Sequence, residues 1–141
     1  MKMQLAIFFA LIGFAAFANG TATYRDMMGR SQGSLTTHGN YTTYRDSQGR
    51  MQGTAQTENS GTQTTYRDAS GRLQGSSRTD TSGRTTYRDS MGRLQGTATT
   101  DSSGRVTFRD AQGRLQGTAA TDPSGRVTYR DAQGRLQGTK K

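Results

Sequence analysis

Residues Asp122 to Gly138 read DPSGRVTYRDAQGRLQG, and the reading of this stretch decides the fold. It opens on one D-x-x-G tetrad and carries a second. A type I turn favours Asp first, where the carboxylate accepts from backbone amides two residues on. It favours Pro second, and a Gly after the turn, where φ is positive. Asp122-Pro123-Ser124-Gly125 meets all three demands, and Asp131-Ala132-Gln133-Gly134 meets two. Such a turn closed by a left-handed glycine is a three-residue hairpin connection. Between the turns, Arg126-Val127-Thr128-Tyr129-Arg130 alternates strictly. Val127 and Tyr129 share one face, and Arg126, Thr128 and Arg130 share the other. That is the period of a half-buried strand.

The phrase recurs upstream. Aromatic residues stand at Tyr24, Tyr44, Tyr66, Tyr87, Phe108 and Tyr129, at intervals of 20, 22, 21, 21 and 21 residues. A fixed period of this length marks a repeat architecture. The unit is close to T-Y-R-D-x-x-G-R-L-Q-G-T-A-x-T-D-x-S-G-R-V. Length variation falls at the second tetrad, in Thr37-His38-Gly39-Asn40 and Glu58-Asn59-Ser60-Gly61, as expected of exposed tips. The second limb, Arg114 to Thr121, places Leu115 and Ala119 on one face and Arg114, Gln116 and Thr118 on the other if alternation is strict. Gly117 and its equivalents Gly33, Gly53, Gly75, Gly96 and Gly138 mark a bulge or corner. The expected fold is all-β: tandem 21-residue repeats in an antiparallel β-meander or a β-solenoid-like single sheet. The turn-forming residues of its last copies are Asp110, Gly113, Asp122, Pro123, Gly125, Asp131 and Gly134.

The ends and the composition frame this. Lys2, the apolar run from Leu5 and the small-x-small Ala16-Phe17-Ala18 read as a secretory signal over residues 1–18. That run is shorter than the roughly 20 apolar residues of a membrane-spanning helix. The repeat region is then residues 19–141, with no integral membrane span, in a secreted or periplasmic location. It contains no cysteine, so no disulfide can staple it. Beyond residue 18, Leu, Val and Phe together number eight and Ile is absent. Composition of this kind does not build one compact core; nearest-neighbour stacking of repeats has to supply the stability.

The phrase Tyr129-Arg130-Asp131-Ala132-Gln133-Gly134-Arg135-Leu136 resembles the YD repeat of RHS-type secreted bacterial proteins. The resemblance extends as a pattern over the whole repeat region. An Arg stands between the aromatic and the Asp in all six copies, which departs from the family unit. In that family such repeats build a β-strand shell around a toxin domain, and this chain is too short for a shell. The resemblance implies an extended, spiralling β-sheet and an extracellular setting.

No catalytic or metal-binding set is expected, and no cofactor. The single histidine, His38, sits in a degenerate turn. Nine aspartates open D-x-x-G turns, and turn capping accounts for each of them. Calcium is disfavoured because an Arg follows each Asp at four residues, as Arg114 follows Asp110, and a cation there competes with a metal. The chain carries a net charge of +9. Sixteen arginines against ten acids leave an excess after any pairing across strands. Two non-enzymatic functions follow. The first is a structural or interaction protein that self-assembles, or coats a surface, through open sheet edges. The alternative is a polyanion-binding module for nucleic acid, lipopolysaccharide or acidic polysaccharide. Its candidate residues are Arg88, Arg93, Arg105, Arg109, Arg114, Arg126, Arg130 and Arg135.

Overall fold

The computed structural model describes residues 19–58 and 60–141. The signal-peptide reading of residues 1–18 lies outside the described residues. Twelve strands follow one another: β1 (Gly20–Asp26), β2 (Ser31–His38), β3 (Tyr41–Asp46), β4 (Met51–Thr57), β5 (Gln63–Asp68), β6 (Leu73–Thr79), β7 (Arg84–Asp89), β8 (Leu94–Thr100), β9 (Val106–Asp110), β10 (Leu115–Thr121), β11 (Val127–Asp131) and β12 (Leu136–Lys140). Every neighbouring pair is antiparallel, as in a meander. The sheet does not stay open, however. β12 pairs with β1, with Tyr24 opposite Lys140, Arg25 opposite Thr139 and Asp26 opposite Gly138, and the twelve strands close into a barrel. The Thr23 and Lys141 backbones complete the seam, each amide donating to the other's carbonyl at 2.7 and 3.2 Å. The end strands expected as open edges are therefore each other's partners.

Closure turns a sheet of thin margin into one with an interior. The alternation is as the sequence implies: Val127 and Tyr129 are buried, and Arg126 and Arg130 are exposed. Tyr24, Tyr44, Tyr66, Tyr87, Phe108 and Tyr129 all point inward, with Leu35, Ala55, Ser77, Ala98 and Ala119 beside them. Eight strands already make a barrel that ordinary side chains just fill. Twelve need larger ones, and each repeat contributes one aromatic; the buried residues form two clusters, one around Tyr87, Phe108 and Tyr129 and one around Tyr24, Tyr44 and Tyr66. Apart from Met51, Leu73, Leu94 and Leu115 near one end, the outward face is chiefly threonine, serine, glutamine and arginine, without the continuous apolar band of membrane-spanning barrels.

Each aromatic has a glycine opposite it on one neighbouring strand. Tyr129 lies opposite Gly138 on one side and Ala119 on the other; Tyr66 lies opposite Gly75 and Ala55. The glycines of this set are required by close approach. A Cβ on Gly117 would overlap the carbonyl oxygen of Arg130 on the adjacent strand, and Gly33, Gly53, Gly75, Gly96 and Gly138 meet the equivalent carbonyl. At the seam, Lys140 takes the inward position held by Ala119 and Ala98 elsewhere, opposite Tyr24. It is partly buried there, and desolvation lowers its pKa.

One expectation about side-chain direction fails. Strict alternation put Leu115 inside with Ala119. Ala119 is fully buried, but Leu115 is 39% exposed. The register between β9 and β10 shifts between Leu115 and Gly117, so Gln116 is an extra residue opposite β9. This β-bulge inverts the parity: Leu115 pairs with Arg109 on the outer face while Gly117 and Ala119 stay inside. The same shift recurs in β1–β2, β3–β4, β5–β6, β7–β8 and β11–β12. Bulges bend strands and increase local twist. Six evenly spaced bends give the sheet the steady curvature that closure needs.

Gly117→Ala should lower stability by about 1–3 kcal/mol through this backbone overlap, read as a fall in the thermal midpoint by circular dichroism. Tyr129→Phe should be neutral or stabilising. Its hydroxyl is buried without a hydrogen-bond partner among the described residues, and Phe108 already fills the equivalent site. Ser77→Ala, which removes the 2.8 Å hydroxyl pair with Tyr66, should cost about 1 kcal/mol.

Candidate polyanion-binding surface

Two kinds of turn alternate around the barrel. Those leading from a Tyr-Arg-Asp strand into the next Gln-Gly strand all lie at one end, which we call the crown. They open at Asp26, Asp46, Asp68, Asp89, Asp110 and Asp131. The connections β2–β3, β4–β5, β6–β7, β8–β9 and β10–β11 lie at the opposite end.

Each crown turn is built around one carboxylate. At Asp110, the Gly113 amide donates to the Asp110 carbonyl at 3.0 Å, and the Asp110 amide donates to the Arg114 carbonyl at 2.9 Å. Gly113 has φ 83°, the left-handed conformation that the turn demands. Asp110 Oδ1 accepts from the Gln112 and Arg114 amides at 2.9 Å each. Oδ2 accepts from Arg114 Nε at 2.8 Å and from Gln116 Nε2 at 3.3 Å. Gln116 is the bulge residue, so the bulge aims a donor back at the turn. Arg109 Nη1 donates to the Gly113 carbonyl at 2.9 Å. The other five crown turns repeat this pattern, Asp131 with Arg135 and Gln137 for example. The ion pairs thus lie within a turn, four residues apart, and not across strands as the sequence suggested.

The turns at the opposite end are simpler. Asp122 Oδ1 accepts from the Ser124 amide, the Ser124 hydroxyl at 2.6 Å and the Arg126 amide. Pro123 occupies the second turn position, where no donor is needed, and Gly125 has φ 81°. Arg84, Arg105 and Arg126 at this end form no side-chain hydrogen bond or ion pair among the described residues.

Of the eight candidate arginines, the structure therefore gathers six at the crown. Arg88, Arg109 and Arg130 stand on the outer wall just below the rim, each with Nη1 held by a turn carbonyl. Arg93, Arg114 and Arg135 stand on the rim with Nε held by aspartate. Arg105 and Arg126 are at the far end. Arg105 meets Arg130 only across a shallow outer groove that also holds Thr118, Thr128 and Asp122. The sequence reading missed the crown arginines of the early repeats, Arg25, Arg30, Arg45, Arg50, Arg67 and Arg72. The same T-Y-R-D-x-x-G-R phrase marks them, in copies that drift more elsewhere. The whole crown has twelve arginines against six aspartates, an excess of six positive charges. Each guanidinium is anchored along one edge and presents the remainder to solvent. The rim set is 71–79% exposed. Pre-anchored guanidinium groups suit bidentate recognition of phosphate or sulfate.

The carboxylates are held charged. At Asp110, partial desolvation pushes the pKa up, but the amide and guanidinium hydrogen bonds of Arg114 and the Gln112 amide outweigh it, and the net shift is downward. At Asp68 the Arg72 amide leads the lowering, and at Asp122 the Ser124 hydroxyl does. The interior tyrosines move the other way. Burial pushes up all five phenols, Tyr66 to about 12, where hydrogen bonds from Ser77 and Thr64 partly offset it. Among the described residues, no three His, Cys, Asp or Glu side chains cluster as a metal site would need.

Residues 96–127, from β8 to the start of β11, match the family model described as RHS Repeat. The chain carries a YD/RHS-like repeat, in agreement with the resemblance of its core phrase. No curated protein matches the chain. Among solved structures it is similar to BamB from Moraxella catarrhalis at 14% identity and a TM-score of 0.27, over 79% of this chain and 44% of that one. The chain thus spans less than half the length of that structure.

The two sets of shifts predict a stability plateau with two edges. Depressed aspartates add stability that is present above their unfolded pKa, near 3.9, and is lost as pH falls through the lower folded values. Raised tyrosines add stability that is present below about pH 10 and is lost as pH climbs toward their folded values. The thermal midpoint should hold between about pH 5 and pH 9 and fall on either side. Phenolate absorbance of the buried tyrosines should appear together with loss of the β-sheet signal. Ionisation of these five at mild alkaline pH in a folded barrel would contradict the burial.

Proposed function

We propose that this is an extracytoplasmic, non-enzymatic interaction protein whose arginine crown binds a polyanion. One observation carries the proposal: twelve arginines are brought to one end of the barrel, each fixed along one edge by a turn carbonyl or carboxylate. Unpaired flexible charge would give only diffuse attraction, whereas a fixed ring gives a patterned one. The non-enzymatic reading is supported by the employment of the aspartates, each of which caps a turn. The RHS-type repeat, and the reading of residues 1–18 as a secretory signal, support the extracytoplasmic setting. Self-assembly through sheet edges loses its premise in β1–β12 pairing, although that seam covers β1 only from Thr23 to Asp26.

Two triple variants with the same change in net charge test this. Arg93→Gln/Arg114→Gln/Arg135→Gln removes half of the rim set, and Arg84→Gln/Arg105→Gln/Arg126→Gln removes the far-end set. On a heparin column the crown variant should elute at clearly lower salt than the far-end variant, with both folded by circular dichroism. Binding resting on counterion release weakens with each phosphate- or sulfate-contacting arginine removed. Equal losses from both variants would reduce the interaction to net charge and sink the crown as a site.

A further inference from the structure

The crown is not only cationic. Among the described residues, eight large hydrophobic side chains are markedly exposed, and seven of them, Met27, Met28, Met51, Leu73, Met91, Leu94 and Leu115, stand at this end. Tyr41, the eighth, is at the other. The bulge parity accounts for the wall members. Met51, Leu73, Leu94 and Leu115 are turned outward and pair directly with Arg45, Arg67, Arg88 and Arg109. Arginine and an apolar side chain therefore alternate around the outside of the barrel just below the rim. The most exposed are at the turn tips: Met28 at 74% and Met91 at 77%. Met27 and Met28 belong to the first crown turn and Met91 to the fourth. In a closed ring of six hairpins these are on opposite sides. A flat surface approached by the crown would meet both methionine tips at once.

A hydrophilic polyanion has no use for that apolar ring. An anionic lipid surface has use for both components: headgroup phosphates for the guanidinium groups, and the acyl boundary for Met and Leu. Stable attachment at a membrane surface takes two such signals together, since one alone binds only marginally. We infer that the crown docks end-on to a membrane surface rich in anionic phospholipid. The barrel axis stands along the membrane normal, the methionine tips enter the headgroup layer, and the rim arginines take the phosphates. The strands remain outside the bilayer, in keeping with their polar outer face. The inference rests on the crown being the polyanion-binding surface and names the class of partner.

Sedimentation with vesicles of phosphatidylcholine, with and without phosphatidylglycerol, tests it on the full chain. A heparin column is run in parallel. The protein should sediment with the phosphatidylglycerol vesicles and stay in solution with phosphatidylcholine alone. Met27→Ser/Met28→Ser/Met91→Ser changes only exposed turn-tip side chains. It should weaken vesicle binding by about tenfold and leave heparin elution unchanged. Full vesicle binding by this variant, or heparin binding with none to phosphatidylglycerol vesicles, would overturn the lipid assignment and leave the polyanion reading standing. Failure to bind either probe would overturn both. The unchanged circular dichroism of the variant guards against loss of fold as the cause.

Discussion

In each repeat a single aspartate carboxylate gathers four donors: two turn amides, an arginine Nε and the amide of a glutamine six residues on. The glutamine reaches it only because the strand bulges there. The turn, the bulge and the ion pair are thus one cooperative unit, and much else follows from it. The bulge inverts the parity of the strand, which sends Leu115 and its equivalents out beside arginine and keeps Gly117 and Ala119 inside. It also bends the sheet once per repeat. The crown and the closed barrel therefore have a common origin in the seven-residue phrase D-x-x-G-R-L-Q.

Closure explains how so polar a chain holds an interior without cysteine. A flat single layer would leave its aromatic face in water. Curled through six equal steps, the same face becomes an enclosed stack of tyrosine over glycine and alanine. The glycines matter because the neighbouring carbonyl occupies the space of a side chain. The surface ion pairs are exposed and individually weak. Their weight lies in shaping the turns. The energy of folding comes from enclosing the aromatic face, which is non-local and depends on all six repeats being present in register.

The crown gathers what the sequence scatters. Arginines twenty-one residues apart become neighbours around a ring because each hairpin is a faithful copy of the last. Interleaved with them are methionine and leucine side chains that, read along the chain, look like core residues. A surface of mixed cationic and apolar character at one end, with a polar wall and a polar far end, gives the barrel a direction. That polarity is what the lipid-surface inference uses.

Much of this is legible in the sequence alone. The aromatic period, the D-x-x-G turns, the inward Val127 and Tyr129 and the outward Arg126 and Arg130 all follow from local rules: turn preference, left-handed glycine and two-residue alternation. Gly117 was also readable as the place of a bulge. Its consequence for Leu115 was not, because the parity on each side of a bulge is set by which residues pair across strands, a property of two strands and not of one. The joining of β1 to β12 was equally out of reach. Local sequence determines each hairpin and its bend, but whether six bends bring the first strand to the last depends on their sum. That sum exists only in the folded chain, and with it come the enclosed tyrosines, the ring of arginines and the end on which they stand.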